Sequence, residues 1–203
     1  VGDNYYTSVW AEGQKVCMID QTKLPYHFEI FEAESYLQTC EAIKNMVVRG
    51  AGAIGGAAGY AMAQACREAP KASYEEFTAT ARKDIEATRP TAQNLFFATK
   101  EVYEAGKCSV QKAMEKARLL AEENIMEGRK IGEYGNTLIN DRSNIETHCN
   151  AGWLAFVDHG SALAPIYRAK REGKKMFIYT DETRPRGQGG RLTAWELKNE
   201  DIP

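Results

Sequence analysis

Asn144-Ile145-Glu146-Thr147-His148-Cys149-Asn150-Ala151-Gly152-Trp153 reads as a short strand, Ile145 to His148, that ends in a thiol and breaks into a turn of small residues. Small residues at that point suit a strand-to-helix corner, where backbone comes close to a neighbour or a ligand. Downstream, Ser161 to Arg171 has helical periodicity, and Lys174 to Thr180 is a basic start followed by an apolar strand. A loop carrying Arg184, Arg186 and Gln188 follows, and Arg191 to Lys198 is helical again. Strand, helix, strand, helix predicts a parallel sheet with a right-handed crossover. Ligands of such sheets gather at the carboxyl ends of the strands, so Cys149 and the 181–188 loop fall on one edge. Two parallel strands cannot cover both faces of a sheet. The chain is therefore expected to be the front of a longer protein, or to have the rest of the sheet supplied elsewhere.

Working back toward the N-terminus, Ser8 to Ala11 and Lys15 to Ile19 flank Glu12-Gly13-Gln14 and predict a hairpin closed by Leu24-Pro25, with Tyr26 to Phe31 as a further strand. Helices are predicted over Ser35 to Met46, from Tyr60 to Cys66, from Ser73 past Ile85, over Asn94 to Glu104 and over Ser109 to Gly128. Ser73 and Glu76 have the spacing of a capping box, and Pro90 should stop the helix before it at Arg89. The resulting fold class is α/β. Residues 1–135 form a mostly helical domain with a small β element, and residues 136–203 form the first part of a Rossmann-like parallel-sheet domain.

Two segments carry candidate chemistry. Cys149 beside His148 is either a reactive thiol or a buried structural one, since free cysteine packs as a small hydrophobe. Arg49-Gly50-Ala51-Gly52-Ala53 leads into a helix, where free N–H groups and the positive helix end suit an anion and Arg49 could add a bidentate contact. Small residues that permit tight helix packing are the plainer account on the residues alone. Asp158 and His159 read as surface residues at a helix start, His27 as a surface or packing residue, and Asp181-Glu182 as part of a loop ion-paired with Arg184 and Arg186.

Composition narrows the function. Of 203 residues, 43% are hydrophobic and 27% charged, and the net charge of −2 offers nothing to nucleic acid or an anionic membrane. No apolar run approaches the roughly 20 residues that span a bilayer. The five scattered cysteines lack a C-x-x-C pair, which argues against a disulfide framework or a zinc site and for a reducing, cytoplasmic compartment.

Met46 to Gly55, Arg89-Pro90-Thr91-Ala92, Thr147 to Gly152, and Glu182-Thr183-Arg184-Pro185 through Gln188-Gly189 to Arg191-Leu192-Thr193-Ala194-Trp195-Glu196-Leu197 together resemble the methylthioribose-1-phosphate isomerase family. That family is in turn similar to the regulatory subunits of the eukaryotic initiation-factor nucleotide-exchange complex. The resemblance covers almost the whole chain. It implies a homodimer that interconverts an aldose 1-phosphate and a ketose 1-phosphate in methionine salvage, without metal or cofactor. It places Cys149 on the catalytic cysteine and Arg49, Arg89 and Gln188 on phosphate- and sugar-binding positions, with backbone amides near Gly50 and Ala51 assisting. The family's catalytic aspartate and a phosphate-binding lysine belong to a later segment and have no counterpart in this sequence. Gly52 stands where the family has proline, which predicts a looser anion loop. Trp153 replaces a small residue and is a candidate wall of the pocket, and Arg186-Gly187 replace apolar residues. The 5-substituent is therefore open: methylthio, 5-deoxy, or a phosphate as in ribose 1,5-bisphosphate. A non-catalytic regulatory subunit is the rival reading. The residues are compatible with either a proton or a hydride route between C1 and C2.

Overall fold

The computed structural model describes residues 1–2 and 4–203. Three antiparallel strands open the chain: β1 (Val9–Glu12), β2 (Lys15–Ile19) and β3 (Ile30–Ala33), in that spatial order. The hairpin forms as read, with Glu12 opposite Lys15 and Gly13 at φ 58° in the turn. The third strand begins later than expected. The Asp20 carboxylate accepts from the Thr22 N–H (2.9 Å) and hydroxyl (2.5 Å), and the Lys23 carbonyl accepts from Tyr26 and His27 N–H. These local turns occupy residues that would otherwise have extended the ladder.

Five helices follow: α1 (Tyr36–Lys44), α2 (Ala51–Glu68), α3 (Tyr74–Thr88), α4 (Gln93–Gly106) and α5 (Val110–Asn136). Ser35 and Ser109 cap α1 and α5 by accepting from the N–H groups of Gln38 and Lys112. Ser73 does not cap α3; a 3₁₀ turn over Lys71–Ser73 leads the chain into it instead. α2 is rich in Ala and Gly and is buried along almost its whole length, with α1, α3, α4 and α5 packed around it. Its small side chains let those neighbours approach closely, and an all-apolar surface is what a central helix needs.

The second sheet pairs β4 (Ser143–His148) with β5 (Met176–Asp181) in parallel, Thr147 opposite Thr180 and His148 opposite Asp181. α6 (Ala164–Arg171) makes the crossover, and α7 (Ala194–Asn199) follows β5 through a π turn over Gly189–Thr193. That winding starts before Arg191 because Glu182 accepts from the N–H groups of Thr183, Gly189 and Gly190, at 2.7, 2.9 and 3.0 Å. The expected ion-paired loop is thereby corrected: Glu182 is satisfied by backbone rather than by Arg184 or Arg186, and those bonds hold its carboxyl below the usual range.

Two apolar cores result. One surrounds α2; the other joins Leu154, Leu163, Ile166, Ile178 and Leu197 to Ile19 of β2 and Leu24 of the turn after it. Trp153 belongs to this second core, its ring 5.8 Å from that of Trp195, and it does not line the pocket described below. Asp158 is likewise buried, where the Tyr5 hydroxyl donates to it, so it is not a surface residue.

Candidate active site

Cys149 caps the carboxyl end of β4 with φ at 62°, a left-handed conformation that costs a non-glycine residue about 1 kcal/mol. Two bonds hold it there. Its N–H donates to the Asp181 carbonyl on the adjoining strand (3.3 Å), and its carbonyl accepts from the Thr193 hydroxyl (2.5 Å). The thiol is half-buried. His148, in contrast, is exposed, with Nδ1 4.0 Å from an Asp181 carboxylate oxygen.

The next residue, Asn150, is a buried hub. Its Oδ1 accepts from Arg49 Nη1 at 2.7 Å, and its Nδ2 donates to the Thr193 hydroxyl (3.2 Å) and to Glu196 Oε1 (2.6 Å). Glu196 is fully buried and also receives the Tyr167 hydroxyl (2.6 Å) and the Leu154 N–H (3.4 Å). Burial pushes its carboxyl up to about 7, against the opposing pull of the Tyr167 and Asn150 bonds. Sequence reading missed Asn150, Thr193, Tyr167 and Glu196 as site residues. The available signal was a lone carboxylate beside Leu197 on an otherwise apolar helical stripe.

Arg49 follows the buried Val47-Val48 pair and so enters the interior with them. Burial lowers the affinity of its guanidinium for the proton; Cys149 and Glu196 favour the charged form, and the positive charge of Arg89 disfavours it. Arg89 ends α3 ahead of Pro90, and its Nη1 is buried with no protein acceptor. Gln188 Oε1 is buried with no donor. A pocket of about 130 Å³ brings Arg49 and Gln188 together with Gln21, Met46, Arg186 and Leu192. Cys149 and Arg89 do not line this pocket.

Gly50 precedes α2 at φ 89°, and a Cβ there would lie 2.3 Å from the Ala155 Cα. Glycine is thus required by close packing and by backbone conformation together. Ala51 is the exposed first residue of α2, whose leading N–H groups receive no side-chain cap. Gly52 corrects the expectation of a loose loop: it lies in the first turn of α2, wedged against Phe156 and Asn124. Among the described residues no three His, Cys, Asp or Glu side chains come together as a metal site, and no helix is long and apolar enough to cross a membrane.

The order of these elements and the segment from Val47 onward match one family model, the initiation factor 2 subunit family, over residues 47–203. The chain belongs to that family. Within the initiation factor 2 subunit family it is 45% identical over 197 residues to a methylthioribose-1-phosphate isomerase of Acetivibrio thermocellus, covering 92% of this chain and 58% of that protein. The solved 5-methylthioribose 1-phosphate isomerase of Pyrococcus horikoshii superposes with a TM-score of 0.88 at 31% identity, over 98% of this chain and 59% of that one. A structure from A. fulgidus described as translation initiation factor eIF-2B, subunit delta, has the same TM-score at 39% identity, over 98% and 61%. The chain spans about 60% of the length of these relatives. Backbone likeness does not separate an isomerase from a factor subunit, so the side chains at the site must.

Proposed function

We propose that the protein containing this chain is an aldose–ketose isomerase of pentose 1-phosphates, acting on 5-methylthioribose 1-phosphate in methionine salvage. The observation that carries this reading is the set of polar groups left unsatisfied around the Arg49 pocket: Arg89 Nη1 is buried with no acceptor, and Gln188, which lines the pocket with Arg49, has a buried Oε1 with no donor. A buried N–H without an acceptor costs about 1–3 kcal/mol. An anionic ligand relieves that cost, and a phosphate does so with charge-assisted bonds. A subunit with only a scaffolding role has no use for a buried arginine N–H left without an acceptor.

In this reading Arg49 and Arg89 grip the anomeric phosphate, the first N–H groups of α2 near Gly50 and Ala51 assist, and Gln188 holds the sugar. Protonation of the ring oxygen breaks its bond to C1. One hydrogen then moves from C2 to C1, and the C2 hydroxyl loses its proton to become the ketone. Cys149 serves as one acid–base group at the reacting carbons, and the second comes from outside this chain. Binding of the phosphate, which is itself unchanged by the reaction, fixes the reacting atoms. Met46 and Leu192 in the pocket wall favour an apolar 5-substituent; Arg186 in the same wall supports ribose 1,5-bisphosphate as a second substrate. The reading also includes a homodimer in a reducing cytoplasm, supported by the family resemblance and by cysteines that are all free.

A turnover assay of the full-length protein with 5-methylthioribose 1-phosphate, 5-deoxyribose 1-phosphate and ribose 1,5-bisphosphate tests the proposal. Formation of a ketose 1-phosphate, fastest from the methylthio sugar, is expected. Absence of turnover on all three, with normal folding, favours the regulatory subunit. Sedimentation of the same protein tests the dimer.

A further inference from the structure

Gln21 stands two residues beyond β2 and is only 4% exposed. Its N–H donates to the Val47 carbonyl (2.9 Å), and its Nε2 donates to the Leu154 carbonyl (2.7 Å). The second bond sets the orientation of the amide, because its oxygen cannot face another carbonyl. Oε1 is left buried without a donor, on a residue that lines the pocket of Arg49 and Gln188. The turn that carries it is rigid. Asp20 ties down Thr22, and the Arg191 guanidinium donates to the carbonyls of Thr22 (2.9 Å) and Leu24 (3.0 Å), strapping the turn to the segment that carries Gln188.

Two residues that line the pocket, Gln21 and Gln188, therefore each carry a buried amide oxygen without a donor, that of Gln21 fixed in orientation, beside the Arg49 guanidinium. A fully ionised anion has no donor to give them. A phosphorylated sugar has both charge and hydroxyls. We infer that Gln21 Oε1 accepts a hydrogen bond from a ring hydroxyl of the bound sugar phosphate and makes the site select a hydroxylated ligand over its deoxy analogue. This rests on the sugar-phosphate reading above, and it adds a specificity-determining residue from the N-terminal sheet region.

Calorimetry with the full-length protein tests it, using ribose 1-phosphate, 2-deoxyribose 1-phosphate and 3-deoxyribose 1-phosphate as probes. The wild type should bind ribose 1-phosphate about tenfold more tightly than one of the two deoxy sugars, the effect of a single hydrogen bond. Gln21→Met should bind ribose 1-phosphate about tenfold more weakly and should no longer discriminate against that analogue, a change that general loosening of the site would not produce. Equal wild-type affinity for all three sugars overturns the inference without recourse to a variant that must fold. So does a Gln21→Met protein that keeps the discrimination. A wild type that binds and discriminates but does not interconvert 5-methylthioribose 1-phosphate with its ketose leaves Gln21 in place and overturns the isomerase reading alone; failure to bind ribose 1-phosphate overturns both.

Discussion

Glu196, Asn150 and Arg49 form one hydrogen-bonded line from the second core to the candidate phosphate site. The carboxyl of Glu196 is raised from 4.5 to about 7 by burial, so the folded protein holds a proton that the unfolded chain releases. Its contribution to stability is full below pH 4.5 and is lost as pH rises through about 7, on the order of 3 kcal/mol in all. Glu196→Gln keeps an acceptor for Asn150 and a donor for Tyr167. It should match the wild type in thermal melts at pH 4.5 and exceed it at pH 8; the reverse order would show that the carboxylate is stabilised in place. Cys149→Ser should lower kcat by at least about a hundredfold, with the melting temperature unchanged, in assays of the full-length protein. Arg89→Ala should raise KM by roughly ten- to a hundredfold with a much smaller change in kcat, the result of removing one charge-assisted bond to phosphate. Cys149 and Arg89 are candidates that motif position alone could name. Glu196 was not, because its partner Asn150 is 46 residues away and a local pattern cannot report a bond that long.

Among the elements, α2 does most to arrange the site, since its entry abuts the Trp153–Ala155 turn and Arg49 stands just before its Gly50 cap. Gly50→Ala would place a methyl against the Ala155 backbone and force a side chain into φ 89°. The expected loss is about 3 kcal/mol or more, read as a shift of the denaturant midpoint at unchanged slope. An unshifted midpoint would mean that the two segments separate freely. The strands and helices were mostly readable: β2 and α4 lie close to where the sequence puts them, and α5 begins there. Two helices are longer than expected, α2 beginning at Ala51 rather than Tyr60 and α5 running to Asn136 rather than Gly128; the other differences fell where a turn competed with an element. The side chain of Asp20 delays β3, a 3₁₀ turn replaces the Ser73 cap, and Glu182 starts the winding before α7 early.

Across the whole molecule the two cores are joined at a seam. Ser8 and Gln21 bond to the carbonyls of Phe156 and Leu154, Asn124 accepts from Val157 N–H, and α5 lies against α6. The last contact is close: a Cβ on Gly132 would be 3.0 Å from the Ala164 carbonyl, and one on Gly135 would be 2.4 Å from the Pro165 ring. All three tryptophans pack in or against the second core, whereas most of the helix lies around the first. Tryptophan fluorescence and far-ultraviolet ellipticity should therefore melt together in the wild type. In Gly132→Val, which wedges α5 from α6, the fluorescence transition should come first; coincident curves in the variant would mean that the seam does not couple the halves. The sequence by itself determined the α/β class, the order of elements and the motif residues Cys149, Arg49, Arg89 and Gln188, because periodicity, turn chemistry and motif spacing are properties of neighbours along the chain. Only the tertiary structure decided that Arg49 meets Asn150, that Glu196 is buried beneath them and that Gln21 shares a pocket with Gln188. Those pairings depend on which surfaces exclude water from one another, and that is settled by the packing of distant segments.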